Sequence, residues 1–370
     1  MSKTKIGTVE AIMIILTIIV AHTILSLPKN ILSSMKSASI LNLIYISIIA
    51  IFISYLIYRL FKNFPGLDII DISELLGGKV FKNIIGIIFI IYFLISASML
   101  LRNFSESMKV IYYPMTDIFF IVAIFILAIC FANKLDFNAT SKTNLVVLPI
   151  VLFAIVFLFA TNMKQFTPQR IFPILGEGIV NTFVLGLSNI SAFGGIVYLY
   201  FLPPLLKEPQ KMKKIALISV GITAIYLLLS VATLLFVFSF FITTDEITPL
   251  YNATRYIELG NFFQRMESVF LLVWILAFAC YLSTITNFSV GIFKKITNID
   301  NSKPLIDIFG LLILGLSLLP KNYAISQSFE NTIYPYLVIA IAFFLAISIL
   351  ILANLKNKKK GIASVDEKYY

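Results

Sequence analysis

The sequence predicts an all-α integral membrane protein with ten transmembrane helices in two inverted sets of five, the first and sixth of them broken. Three observations point there. Of 370 residues, 59% are apolar and 13% charged, and mean hydropathy is +0.98. A soluble domain is about 45–50% apolar and about 25% charged, so this chain has too little polar surface to stay in water. Ten apolar runs are each about long enough to cross a hydrocarbon core roughly 30 Å thick. Lysine and arginine also alternate in density between the two faces those runs define.

The runs fall at about 8–28, 38–60, 83–104, 117–133, 144–161, 178–202, 214–241, 262–292, 304–320 and 332–353. The first lacks a small-residue cleavage site and nine more follow it, so it reads as a helix and not as a signal peptide. The fourth and ninth are short. With the N-terminus inside, 20 of the 29 Lys and Arg residues lie on the inner face. The other 9 (Lys29, Lys36, Arg102, Lys109, Lys164, Arg170, Arg255, Arg265, Lys321) lie outside. This bias puts both termini in the cytoplasm. The net charge of +11 then reads as the positive inner loops of a membrane protein. No basic stripe with interleaved aromatics is present, which argues against nucleic acid as a partner. One membrane domain covers 1–353, and 354–370 is a short basic tail suited to anionic lipid. The longest outer connection, 242–261, holds a stretch at 250–257 that suits a short interfacial helix. Cys130 and Cys280 sit in apolar runs and read as small hydrophobes.

Because five is odd, the second set of runs enters from the opposite face, which makes repeats of about 8–161 and 178–353. Runs one and six carry the same two features. One ends in Leu27-Pro28 and the other in Leu202-Pro203-Pro204. Each is also interrupted by small and polar residues: Ala21-His22-Thr23 and then Ser26 in the first, and 188–195, Ser-Asn-Ile-Ser-Ala-Phe-Gly-Gly, in the sixth. The offset of 170 between the starts of the two sets maps His22 onto Ala192.

Backbone polar groups in hydrocarbon must be satisfied internally. A glycine weakens a helix by roughly 1 kcal/mol, so such a break persists only where protein, water or a ligand takes up the freed groups. Half-helix N-termini attract a carboxylate and C-terminal ends attract a cation, and an amino acid carries both. The candidate ligand residues are therefore Ala21, His22, Thr23 and Ser26 in run one, and Asn189, Ser191, Phe193, Gly194 and Gly195 in run six. Tyr92 and Ser96 in run three could wall the site. Each has a plainer reading. Gly194 and Gly195 suit close helix packing, and serines bond back to their own helix. Asn189 is costly to bury without a partner, and that partner can be structural. His22, the one histidine, is either a packing residue or a ligand contact. Tyr281, Ser283, Thr284 and Asn287 form a polar face that could simply join helices. Arg102 with Glu106, and Arg265 with Glu267, read as interfacial charge pairs. With one histidine and no H-E-x-x-H, G-x-S-x-G or P-loop motif, the chain is not expected to be an enzyme or to hold a metal or cofactor.

One segment is more specific. Thr248-Pro249-Leu250-Tyr251, Arg255-Tyr256-Ile257, Gly260-Asn261-Phe262-Phe263-Gln264-Arg265-Met266-Glu267, Phe270 and Trp274 resemble the P-x-Y…R-x-I…G-x-F-x-x-R-x-E…W stretch of the spore germination receptor B-subunits, the GerAB-type permeases. Ile6-Gly7 through Leu25-Ser26-Leu27-Pro28, and Phe193-Gly194-Gly195 followed by Leu202-Pro203, resemble that family as well. Gly195 departs from it, standing where the family pattern has Glu. The resemblance implies a branch of the amino acid–polyamine–organocation transporter superfamily with the LeuT-type 5+5 fold. It implies a germinant sensor in the inner spore membrane that binds a small germinant, an amino acid, and works with an A-type membrane subunit and a C-type lipoprotein subunit. The alternative is an autonomous amino acid permease. Run five, 144–161, has no Lys, Asp, Glu or His, which weakens a concentrating pump.

Overall fold

A computed structural model describes residues 5–238, 248–255, 266–299 and 301–359. In chain order the helices are α1 Thr8–Leu25, α2 Leu27–Met35, α3 Ser39–Phe61, α4 Ile69–Ile111, α5 Ile118–Asn133, α6 Phe137–Asn162 and α7 Ile179–Phe183. A 3₁₀-wound segment, Leu185–Tyr200, follows. Then come α8 Met212–Val237, α9 Pro249–Arg255, α10 Met266–Thr297, α11 Lys303–Ser317, α12 Tyr323–Thr332, α13 Tyr334–Val338, a π-wound stretch Ile339–Leu345 and α14 Ala346–Lys359.

Among the described residues, seven helical stretches are long and apolar enough to cross a membrane. They coincide with the second, third, fifth, sixth, seventh, eighth and tenth apolar runs. The first and fourth runs form shorter apolar helices, and the ninth forms α11, of 15 residues. α9 covers the start of the expected interfacial helix; Tyr256, Ile257 and the Arg265 side of the Arg265–Glu267 pair lie outside the described residues.

α1 occupies the centre. It packs against α6, α8, α10 and the Leu185–Tyr200 segment, and from Ala11 to Thr23 every residue except Met13 is buried. A helix apolar all round belongs in a core. α5 is the contrast. Phe120, Ile124, Leu127 and Phe131, spaced along one face, are 59–74% exposed, as a lipid-facing side must be.

The chain ends and bends have local causes. Asp68 caps α4, its carboxylate accepting from the Ile70 and Asp71 amides at 3.0 Å each, while Asp71 accepts from the Asp68 amide at 3.2 Å. Gly78 then takes φ 71°, ψ −167° inside α4, a left-handed conformation that glycine adopts without a Cβ penalty. This kink separates a first arm from the spanning part and explains why the third run begins only at about 83. The kink frees carbonyls at Leu75 and Leu76, and Lys356 of α14 donates to both at 2.8 Å. Part of the basic tail is therefore bonded to protein, and α14 runs on to Lys359. At the start of the chain the Ile6 amide donates to Leu205 (2.7 Å) and its carbonyl accepts from Lys207 (2.9 Å), tying the entrance of α1 to the far end of the sixth run.

Lys295 of α10 bridges Asp68 at 2.6 Å and Asp71 at 2.5 Å. Burial pushes the Asp68 carboxyl up to about 6, Lys295 pulls against that, and Asp71 adds to it. A carboxyl raised above its unfolded value adds stability that is present at low pH and lost as pH rises through the folded value. Lys295→Met removes the cation that offsets this loss. The variant is expected to lower the melting temperature of the detergent-solubilised protein far more at about pH 8 than at about pH 5, where Asp68 is protonated. An equal effect at both pH values would contradict the assignment.

Candidate ligand-binding site

Of the interruption read from the sequence, Ala21-His22-Thr23 and then Ser26, only Ser26 leaves helical geometry, at φ −132°, ψ −23°; Ala21, His22 and Thr23 remain helical. The cause is Pro28, which has no N–H to give the carbonyl four residues back and so cannot continue the helix it follows. The sixth run departs from α geometry over a longer stretch than expected. After α7 it winds as 3₁₀ from Leu185 to Tyr200, with Phe193 outside helical values at φ −91°, ψ 22°; 3₁₀ runs beyond three or four residues are uncommon.

Asn42 of α3 braces this irregular stretch. Its amide donates to the carbonyls of Thr182 (2.8 Å) and Gly186 (3.0 Å), and its oxygen accepts from Asn189 at 2.9 Å. On the opposite side the Tyr200 hydroxyl donates to the Ala342 carbonyl at 2.7 Å, inside the π-wound stretch.

The two irregular spans enclose a cavity of about 210 Å³, small beside the roughly 300–1,000 Å³ of pockets for drug-sized ligands. Ile18, Ile19 and His22 of α1 and Asn30, Ile31, Ser33 and Ser34 of α2 form one wall. Ser188, Asn189, Ser191, Ala192 and Gly194 form another. Glu330, Asn331, Tyr334 and Tyr336 of α12 and α13 close it. His22 and Ala192, matched by the 170-residue offset, both line it.

Glu330 is buried on this wall. Its Oε1 accepts from the Ser26 hydroxyl at 2.5 Å and its Oε2 from the Asn103 amide; the Asn103 oxygen accepts from Ser326 at 2.5 Å. His22 Nδ1 lies 3.6 Å from Glu330, and its Nε2 is 3.4 Å from the Tyr334 hydroxyl. The His22 ring stacks on Tyr334 at 5.4 Å and meets the edge of Tyr281 at 5.8 Å.

Of the sequence-nominated residues, His22, Asn189, Ser191 and Gly194 line the cavity and Ser26 reaches it through Glu330. Ala21, Thr23 and Phe193 are buried but do not line it. Tyr92 and Ser96 lie behind the wall: Ser96 bonds back to the Tyr92 carbonyl at 2.8 Å, and the Tyr92 hydroxyl is 3.9 Å from where a Cβ at Gly194 would stand. Gly195 is a packing position, since a Cβ there would meet the Ile15 carbonyl at 2.8 Å. The polar face of α10 joins helices. Asn133 and Thr140 bond Ser283, Asn144 bonds Thr284, and Asn287 reaches Asn133 and Thr140. Arg102 and Glu106 form an ion pair at 2.7 Å. Sequence reasoning missed Glu330, Tyr334 and Asn103. Glu330 lies two residues before the tenth run, in a stretch read as a connection.

A family model described as "Spore germination protein" matches residues 5–324. The chain belongs to the GerAB-type spore germination permease family. Within the family it is similar to spore germination protein YndE of Bacillus subtilis (strain 168), at 24% identity over 96% of this chain and 98% of the relative. It is also similar to spore germination proteins A2 and B2 of the same organism, at 25% identity over 66% of this chain and 67% of that relative, and 20% over 79% and 80%. It is thus a multi-pass membrane protein of a germination family, and the cavity lies within the matched region apart from its α12–α13 wall.

Proposed function

We propose that the protein is the membrane subunit of a spore germinant receptor and that a small germinant, an amino acid, binds in the cavity between α1–α2, the Leu185–Tyr200 segment and α12–α13. The observation that carries this reading is the position of the cavity, between the two spans whose backbones leave α geometry. A bound ligand stabilises whichever packing of the spans it fits better, and an A-type membrane subunit and a C-type lipoprotein subunit would read that change. The arrangement is taken as ten spans in a LeuT-type 5+5 inverted repeat, supported by the broken first and sixth runs facing one cavity. The bias of Lys and Arg supports termini in the cytoplasm, and the germination relatives support the inner spore membrane.

Ser191→Trp tests this reading by filling the cavity from a half-buried position. Spores carrying the variant at normal membrane abundance are expected to lose the part of their germination, in a mixture of the twenty standard amino acids, that depends on this gene. A normal response would contradict the site. Uptake of a labelled amino acid by the purified chain in liposomes, without partner subunits, would instead favour an autonomous permease.

A further inference from the structure

The cavity has an uneven charge. Among the described residues that line it, Glu330 is the one carboxylate and none is Lys or Arg. Glu330 is 6% exposed. Its two direct donors, the Ser26 hydroxyl and the Asn103 amide, are neutral. His22 Nδ1 stands 3.6 Å away, beyond hydrogen-bond distance but within ion-pair distance when the ring is protonated. A buried carboxylate with no Lys or Arg beside it is costly unless a cation joins it. Here the donors hold its orientation, because Ser326 fixes the Asn103 amide that holds Oε2. Two hydrogen bonds leave acceptor capacity on a group with about four lone-pair sites. Tyr334, stacked on the His22 ring at 5.4 Å, lines the same wall as Glu330.

We infer that Glu330 is the ammonium-binding residue of this cavity, so that the ligand carries a cationic nitrogen directed at Glu330 and flanked by Tyr334. This deepens the proposed function and rests on reading the cavity as the ligand site. A neutral polyol or an anion would leave the carboxylate with His22 as its one neighbour able to carry a positive charge. The nitrogen also needs no charge from the sixth run, where Gly195 has no room for a side chain.

The test uses the full chain in lipid nanodiscs, with methylammonium chloride as the probe and sodium chloride at equal strength as the reference. A ligand that binds only the folded state raises the melting temperature by mass action, and at about 50 mM a shift of about 2 °C over the reference is expected for the wild type. Glu330→Gln is expected to lose the shift, and Glu106→Gln, whose acid pairs with Arg102, to keep it. Should Glu330→Gln fail to fold, the wild type decides: tetramethylammonium chloride, whose nitrogen cannot couple to an activated carboxyl, is expected to slow carbodiimide labelling of Glu330, read by peptide mass spectrometry, and sodium chloride at equal strength is not. A shift retained in Glu330→Gln, an equal effect of sodium, or labelling indifferent to tetramethylammonium would overturn the inference. If these fail while Ser191→Trp still abolishes germination, the cavity stands and the ammonium assignment falls; if both fail, the site itself is misplaced.

Discussion

Gly195→Val is expected to prevent the protein from accumulating in the membrane in a form that can be extracted and purified. A Cβ at this position would lie 2.8 Å from the Ile15 carbonyl oxygen and 3.7 Å from Ile15 Cγ2. The first obstacle is backbone of α1, the most buried helix of the fold, so no rotamer change relieves it. Overpacking a core costs about 1–3 kcal/mol even where side chains can adjust, and more where they cannot. Membrane helices approach this closely only through small residues. Gly194 makes the informative comparison. A Cβ there would meet Val338 Cγ1 at 3.1 Å, the end of a side chain that can turn, so Gly194→Ala is expected to fold. Melting temperature and yield of monodisperse protein measure both. A Gly195→Val protein that melts with the wild type would mean that α1 and the sixth run are not in backbone contact.

Asn42→Leu is expected to be nearly as damaging, through polarity and not volume. The substitution keeps the shape but removes both donors to the Thr182 and Gly186 carbonyls and the acceptor for Asn189. Each buried polar group left unpaired costs about 1–3 kcal/mol, and water cannot rescue those within hydrocarbon. These carbonyls sit where α7 gives way to 3₁₀ winding, so their loss is expected to disorganise the wall that carries Ser188, Asn189 and Ser191. The expected result is a fall in melting temperature of several degrees and, on the proposed function, loss of the germination response that depends on this gene. A variant that melts within about 1 °C of the wild type would show that Asn42 does not brace the sixth run.

The sequence spoke clearly about apolar length and less clearly about polar pairing. Runs such as 38–60 are legible because hydrocarbon thickness fixes helix length, and α3 at Ser39–Phe61 matches it. The interruption of the sixth run was legible because Gly and Ser have weak helical preference and nothing else in that stretch compensates. The break in the first run was read too widely: polarity drew in Ala21, His22 and Thr23, which stay helical, while Ser26 alone interrupts, just ahead of Pro28. Asn189 reads as both things weighed for it: it lines the cavity and has a structural partner in Asn42. Glu330 stayed hidden because α12 is too short and too polar to register as a span. Its meaning depends on Ser26, Asn103 and His22, which lie far from it in the chain, and a single sequence carries no sign of that convergence. Gly195 shows the reverse. The glycine is visible in the sequence, but the Ile15 carbonyl that leaves no room for a side chain there is visible only in three dimensions.

The central claim is that two spans part around a cavity walled by His22, Ser191 and Glu330. A density map of the full chain in a lipid nanodisc tests it most directly. The expected map shows an interruption at Ser26, non-α winding from Leu185 to Tyr200, and these three side chains facing one void. A helix continuous from Thr8 to Met35, with side chains filling the space between it and the sixth run, would contradict it.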